Sequence, residues 1–247
     1  MSGHNKWSTI KRKKGANDAK RGKIFTKIIK EILISAREGG GDPDANARLR
    51  LAIQNAKGAN MPKENIERAI KKAVGSDADT YIETSFEGYA PGGIAVFVEC
   101  LTDNNNRTVA SVRSVFNKYG GKLGTNGSLS SLFDRKGVFT IKNEGLSAEE
   151  LELELIDAGA EEFDNDDDRT IVSCALEDFG NLNRKLNELD ISPEEAGLKR
   201  VPNITKQLDL ESAKKVLKFI EVLEDDDDIQ NVYHNLEITD ELAAELE

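Results

Sequence analysis

The first 17 residues carry Gly3, Gly15 and many charges with no apolar periodicity, and they read as a flexible arm. From Asp18 the pattern turns helical. Ile24, Phe25, Ile28, Ile29, Ile32 and Leu33 fall on one face, while Lys20, Lys23, Lys27 and Lys30 form an opposed stripe. Gly39-Gly40-Gly41 stops this helix. Asp42 as N-cap and Pro43 in the first turn predict the start of a second helix. Its inward face is Leu49, Ala52, Ile53 and Ala56, and Gly58 ends it. Pro62 opens a third helix, with Ile66, Ala69, Ile70 and Ala73 inward and Gly75 at its end. Three short amphipathic helices on short turns predict a small helical domain over 1–80.

The pattern changes character near residue 80. Tyr81 to Tyr89 alternates, Ala90-Pro91-Gly92-Gly93 is a turn, and Ile94 to Leu101 is a strand. Val109, Val112, Val115, Phe116 and Tyr119 mark a helix stopped by Gly120-Gly121, and Gly124 to Ser131 is a loop. A strand over Val138–Ile141 and a helix at Leu151, Leu155 and Ile156 come next. Two short strands then flank Asp164–Asp168, before a helix at Phe179, Leu182, Leu186 and Leu189 and a strand within Glu194–Pro202. Residues 137–202 thus read β-α-β-β-α-β, the ferredoxin-like order. Val216, Leu217, Ile220 and Leu223 mark a further helix, and Ile229–Leu236 a last strand. The fold class is α+β, with an N-terminal helical domain ahead of the α+β remainder.

Charge changes this picture most. The chain has 247 residues, 34 Lys and Arg against 45 Asp and Glu, and a net charge of -11. That total argues against nucleic acid until it is divided along the chain. Residues 1–30 hold ten Lys and Arg and one acid, whereas 135–202 hold eight against eighteen and 203–247 hold four against thirteen. Such asymmetry points to contact with nucleic acid or a membrane surface. The longest strongly apolar run, Ile94–Val98, is far short of the roughly 20 residues a bilayer requires, so no membrane partner is expected.

Little else in the sequence resembles a catalytic or metal site. Cys100 and Cys174 sit in apolar runs and read as reduced core thiols, which fits a cytoplasmic location. The N-terminus lacks the apolar core of a secretory signal and is richer in Lys than a mitochondrial transit peptide. His4 and His234 are the two histidines, and nothing places either beside a nucleophile. No Cys or His pair has zinc spacing, and Gly120-Gly121-Lys122-Leu123 lacks the features of a phosphate loop. Asp164–Asp168 lacks the Gly and terminal Glu of a calcium loop and reads as a polar turn. Asp225–Asp228 reads as a solvated helix end. No catalytic residue, metal ligand or cofactor site is assigned, and the protein is expected not to be an enzyme.

The nucleic-acid reading rests on Lys6, Lys11, Arg12, Lys13, Lys14, Lys20, Arg21, Lys23, Lys27 and Lys30, with Trp7 as an indole able to stack or wedge. These cations predict contact with phosphates rather than reading of bases. The near-neutral segment 81–134 is the natural second contact, through Asn104–Thr108 and the Thr125–Ser131 loop. The acidic remainder faces away or meets a basic protein partner.

Met1-Ser-Gly-His-Asn-Lys-Trp-Ser, Lys20-Arg-Gly-Lys-Ile-Phe-Thr-Lys, Ala36-Arg-Glu-Gly-Gly-Gly-Asp-Pro, Asn60-Met-Pro-Lys-Glu-Asn-Ile-Glu-Arg-Ala-Ile, Glu87-Gly-Tyr-Ala-Pro-Gly-Gly and Leu101-Thr-Asp-Asn-Asn-Asn-Arg-Thr resemble the YebC/PmpR family, in the same order and from residue 2 to about Asn235. The resemblance implies that two α+β modules follow the helical domain, the last inserted in the middle one, giving 1–80, 81–134 plus 206–240, and 135–205. It implies a cytoplasmic, non-enzymatic DNA-binding transcriptional regulator. A ribosome- or RNA-binding translation factor, acting on ribosomal or transfer RNA, is the alternative, because mitochondrial members are translational activators.

Overall fold

The computed structural model describes residues 18–75, 80–143, 148–165 and 168–246. The chain divides into two compact units. One comprises 1–30, 79–134 and 201–247, and the other 31–78 and 135–200.

Among the described residues three helices come first, α1 (Asp18–Gly39), α2 (Ala47–Gly58) and α3 (Lys63–Ala73). Residues of α1 up to Lys30 belong to the first unit and those from Glu31 to the second. Its apolar face is buried mainly beyond that point, at Ile32, Leu33, Ile34 and Ala36, whereas Ile24 is half exposed. The expected start of α2 at Asp42-Pro43 is corrected. Asp42 only closes a turn, its Oδ1 accepting the Asp44 N–H, and the N-cap is Asn46. Asn46 Oδ1 accepts the Leu49 N–H at 3.0 Å, and its Nδ2 donates to the carbonyls of Ser35 at 2.7 Å and Gly40 at 2.9 Å. One buried amide therefore begins α2 and ties off the end of α1, which a carboxylate could not do for want of a donor. Gly39 leaves it room, since a Cβ there would sit 2.5 Å from Asn46 Nδ2.

The first unit is built on an antiparallel sheet of β1 (Ile82–Ala90), β2 (Ile94–Thr102), β3 (Lys122–Leu123) and β8 (Ile229–His234), in the order β3-β1-β2-β8. The β1–β2 turn needs Pro91-Gly92-Gly93, because Gly92 and Gly93 have φ of 75° and 71°. Helices α4 (Asn105–Lys118) and α7 (Leu210–Glu224) pack on one face of the sheet with Val96, Val98 and Cys100. Phe116 and Phe219 meet edge to face there, 4.9 Å between centroids. Across the other face lie Leu129, Leu132 and Phe133, which pack with Ala95, Phe97 and Tyr233. Helix α8 (Asp240–Leu246) buries Leu242 against the first face.

The second unit takes β4 (Phe133–Lys142) from Arg135 onwards, then α5 (Ala148–Asp157), β5 (Ala160–Asn165), β6 (Arg169–Ala175), α6 (Phe179–Glu188) and β7 (Glu195–Pro202) as far as Arg200. The sheet order β5-β6-β4-β7 is ferredoxin-like, and β6 runs antiparallel to both β4 and β5. Phe139, Ile141, Val172 and Cys174 meet Leu155 of α5 and Leu182 and Leu186 of α6. The edge strand β7 is partly closed by α2. Asn55 Oδ1 accepts from the Ala196 N–H and its Nδ2 donates to the Ala196 carbonyl, both at 2.8 Å. The fold is α+β, an N-terminal helical segment followed by two antiparallel sheets.

Candidate nucleic-acid interface

Lys6, Trp7, Lys11, Arg12, Lys13 and Lys14 lie outside the described residues. Lys20 lies in the first turn of α1, but its side chain is outside the described ones. Arg21, Lys23, Lys27 and Lys30 are described, and the helix sets the last three on one line at i, i+4 and i+7.

That line meets the C-terminal end of α7 and the turn that follows it. Lys23 Nζ lies 2.8 Å from Asp225 Oδ1 and donates to the Asp225 carbonyl at 3.1 Å. Lys27 Nζ donates to the Glu224 carbonyl at 2.9 Å. Lys30 Nζ donates to the Asp227 carbonyl at 2.7 Å, to Asp228 Oδ1 at 3.0 Å and to the Leu101 carbonyl at 3.4 Å. The last carbonyls of a helix lack intrahelical partners and carry the negative end of its dipole, so cations are favoured there. Lys30 is 8% exposed, and the Tyr81 ring lies 5.5 Å from its ammonium. The expectation that Lys30 faces phosphate is corrected. Its donors are spent inside the first unit, and an ammonium buried in this way does not reach a polyanion.

Asp228 corrects the reading of the acidic run as a solvated helix end, since it is only 4% exposed. Arg107 grips it, with Nε 2.9 Å from Oδ2 and Nη2 2.8 Å from Oδ1, and Thr108 Oγ1 donates to Oδ2 at 3.0 Å. Burial pushes its carboxyl up, but the hydrogen bonds from Arg107, Lys30 and Thr108 outweigh this and hold it below the usual carboxylate range. Ser111 donates to Asp226 at the same turn. Arg107 and Thr108 thereby serve the fold, and Asn104 caps α4 by accepting the Arg107 N–H at 3.1 Å.

The Thr125–Ser131 loop is held from beneath by the buried carboxylate of Glu87, which accepts the N–H of Gly127 at 2.7 Å and of Leu129 at 2.6 Å. Leu129 is fully buried, while Thr125, Asn126, Ser128, Ser130 and Ser131 stay exposed on this scaffold. Arg21 is exposed, with its guanidinium 5.4 Å from the Phe25 ring centroid. Sequence reasoning missed Asp228 and Glu87. Nothing in an acidic run, or in one Glu within an alternating strand, marks either as a hub.

Among the described residues both thiols and the His234 imidazole are buried. Burial pushes the Cys100 thiol up to about 12 and the Cys174 thiol up to about 11, so neither is a thiolate near neutrality. Burial lowers His234 to about 4, which keeps the imidazole neutral. Among the described residues no three His, Cys, Asp or Glu are grouped as for a metal ion, and no helix is long and apolar enough to cross a membrane.

Residues 81–236 match the family model of the TACO1/YebC second and third domain, and residues 5–76 that of the TACO1/YebC protein N-terminal domain. A probable transcriptional regulatory protein of Syntrophotalea carbinolica is 51% identical over 247 residues, spanning 100% of this chain and 99% of that protein. Another, from Rubrobacter xylanophilus, is 49% identical over 248 residues, spanning 100% and 99%. The crystal structure of a conserved hypothetical protein from Aquifex aeolicus is similar with a TM-score of 0.82 at 44% identity, covering 89% of this chain and 91% of that one.

Proposed function

The chain belongs to the TACO1/YebC family, and from that premise we propose that it is a non-enzymatic regulator of gene expression that grips nucleic acid, as a cytoplasmic DNA-binding transcriptional regulator. One observation carries the reading: ten Lys and Arg against one acid in the first thirty residues of a chain whose net charge is -11. Each lysine or arginine that neutralises a phosphate releases a condensed counterion, so a cluster of this kind supplies affinity without sequence reading. The names of the relatives, probable transcriptional regulatory proteins, support the regulatory role. The contact is assigned to Lys6, Trp7, Lys11, Arg12, Lys13, Lys14, Lys20 and Arg21, with Lys23 and Lys27 at its inner margin.

Fluorescence anisotropy with labelled duplex DNA across a salt series tests this. Affinity falls steeply with salt, with a log–log slope of about -0.9 per neutralised phosphate. Replacing Lys11, Arg12, Lys13 and Lys14 together by Ala flattens that slope by roughly three to four. Duplex binding indifferent to salt and to the fourfold replacement overturns the proposal.

A translation factor on ribosomal or transfer RNA is the second reading. It is favoured by the exposed hydroxyls and amide of the Thr125–Ser131 loop, which Glu87 pre-forms for contact with an irregular polar surface. Cosedimentation with ribosomes and an absence of promoter occupancy in cells would select it.

A further inference from the structure

Resting on the nucleic-acid reading above, we propose that the turn after α7 is a built-in competitor for the lysine line of α1: Asp225 and the carbonyls of Glu224 and Asp225 hold Lys23 and Lys27 where the phosphates of a bound strand would hold them.

The line is graded along its length. At its inner end the Lys30 and Asp228 side chains are 10% and 5% exposed. They are closed in by Arg107, Thr108 and the carbonyls of Leu101 and Asp227. At its outer end the Lys23 and Asp225 side chains keep 40% and 61% of their surface, at a separation of 2.8 Å. Lys27, which donates to the Glu224 carbonyl at 2.9 Å, lies between them. The inner pair cannot exchange its partner for one from solvent without uncovering a buried charge. The outer pair can, because an exposed ion pair shifts an equilibrium by only about two- to fivefold.

A carboxylate oxygen and a phosphate oxygen accept from an ammonium at the same distance, so occupancy by one excludes the other on the same N–H. A lone anion gains little by displacing Asp225. A strand with phosphates in series, already held by the arm and Arg21, brings the displacing charge at high local concentration. The acidic turn thereby weakens binding of ligands that reach Lys23 alone and favours those that also engage the arm. Its ligand class is a polyphosphate backbone rather than a single phosphate.

A double-mutant cycle on the full chain tests this. Wild type, Asp225→Asn, Lys23→Ala and the double variant are titrated against labelled duplexes of about 30 base pairs, DNA and RNA of one sequence, at on the order of 50 mM salt. Asp225 is exposed, so its replacement leaves the fold in place, which thermal melting verifies. Asp225→Asn is expected to tighten binding about two- to fivefold, and the gain is expected to vanish when Lys23 is Ala. No tightening overturns the proposal. So does an equal gain with and without Lys23, which is the mark of weaker long-range repulsion only. If none of the four forms binds either duplex, the nucleic-acid reading falls and the competition with it. If all four bind with one affinity, only the competition falls. The duplex that shows the coupling identifies the backbone, DNA or RNA.

Discussion

Lys30 and Asp228 lie 198 residues apart in the chain, and their charged groups meet at 3.0 Å with almost no surface left to water. The pair ties the helix that follows the basic arm to the turn just before β8, the last strand of the first sheet. A lone buried carboxylate or ammonium is costly, and removing one partner of such a pair typically costs about 3–5 kcal/mol. Lys30→Met and Asp228→Ala are therefore each expected to destabilise the chain by several kcal/mol in urea unfolding, of the order of that range. Asp228→Ala is expected to cost more, since it strands two cations, Lys30 and Arg107. A loss below about 1 kcal/mol for both, typical of an exposed pair, would show that the pair is not closed from solvent.

Acidification should weaken the fold in two windows. His234 is neutral and buried, with its folded value lowered to about 4 against about 6.5 in an unfolded chain. The unfolded state takes up the proton first, so stability is complete above about pH 6.5 and is lost as pH falls towards 4. Asp228 is held below the ordinary carboxylate range, so its contribution is complete above about pH 4 and is lost as pH falls through its lower folded value. Urea midpoints taken between pH 7 and pH 3 should decline in both windows. His234→Leu should flatten only the upper one. A decline between pH 6.5 and 4 that survives this replacement unchanged assigns the titration to another group.

Asn46 gives a sharper local test. At most helix starts Asn and Asp are equivalent caps. Here the Asn46 amide also donates to the carbonyls of Ser35 and Gly40. Asn46→Asp keeps the cap but turns a buried carboxylate oxygen towards two carbonyl oxygens. It should cost about 1–3 kcal/mol, as for buried groups left unsatisfied. A neutral effect in urea unfolding would mean that capping is all Asn46 does.

The helices of the N-terminal segment and the β-α-β-β-α-β order of 137–202 were legible because their apolar residues repeat at helix and strand periods. Destinations were not. Lys23, Lys27 and Lys30 have the same spacing whether they face phosphates or the carbonyls of α7, and only the fold shows that the line ends on Asp228. Asp228 stands in a run of four aspartates, and one-dimensional spacing cannot separate the buried member from the exposed Asp225. Asp42-Pro43 satisfies the local rules for a helix start as well as Asn46 does. The choice falls to carbonyls six and eleven residues upstream, beyond the reach of any local rule.

Cys100 and Cys174 offer a check on burial that is independent of stability. Each thiol lies in a core, pushed up to about 12 and about 11 respectively. Attack on a disulfide reagent needs a thiolate that the reagent can reach. At pH 8 the native chain should leave both cysteines unlabelled over minutes, and both should react at once in denaturant. One rapid equivalent in the native state would place that cysteine outside its core.

Glu87 is a buried carboxylate under the exposed Thr125–Ser131 loop, and its two oxygens separately take the N–H groups of Gly127 and Leu129. Glu87→Gln keeps the size but replaces one acceptor oxygen by an NH2 group, which must point a donor at one of those amides. The loop should then open locally while Leu129, Leu132 and Phe133 keep the sheet covered. Hydrogen exchange should show faster exchange at Gly127 and Leu129, by about five- to a hundredfold for the loss of a charge-assisted bond. Strand β2, paired on both sides, should keep its protection. Exchange that rises equally in β2 would show that Glu87 supports the whole sheet rather than the loop.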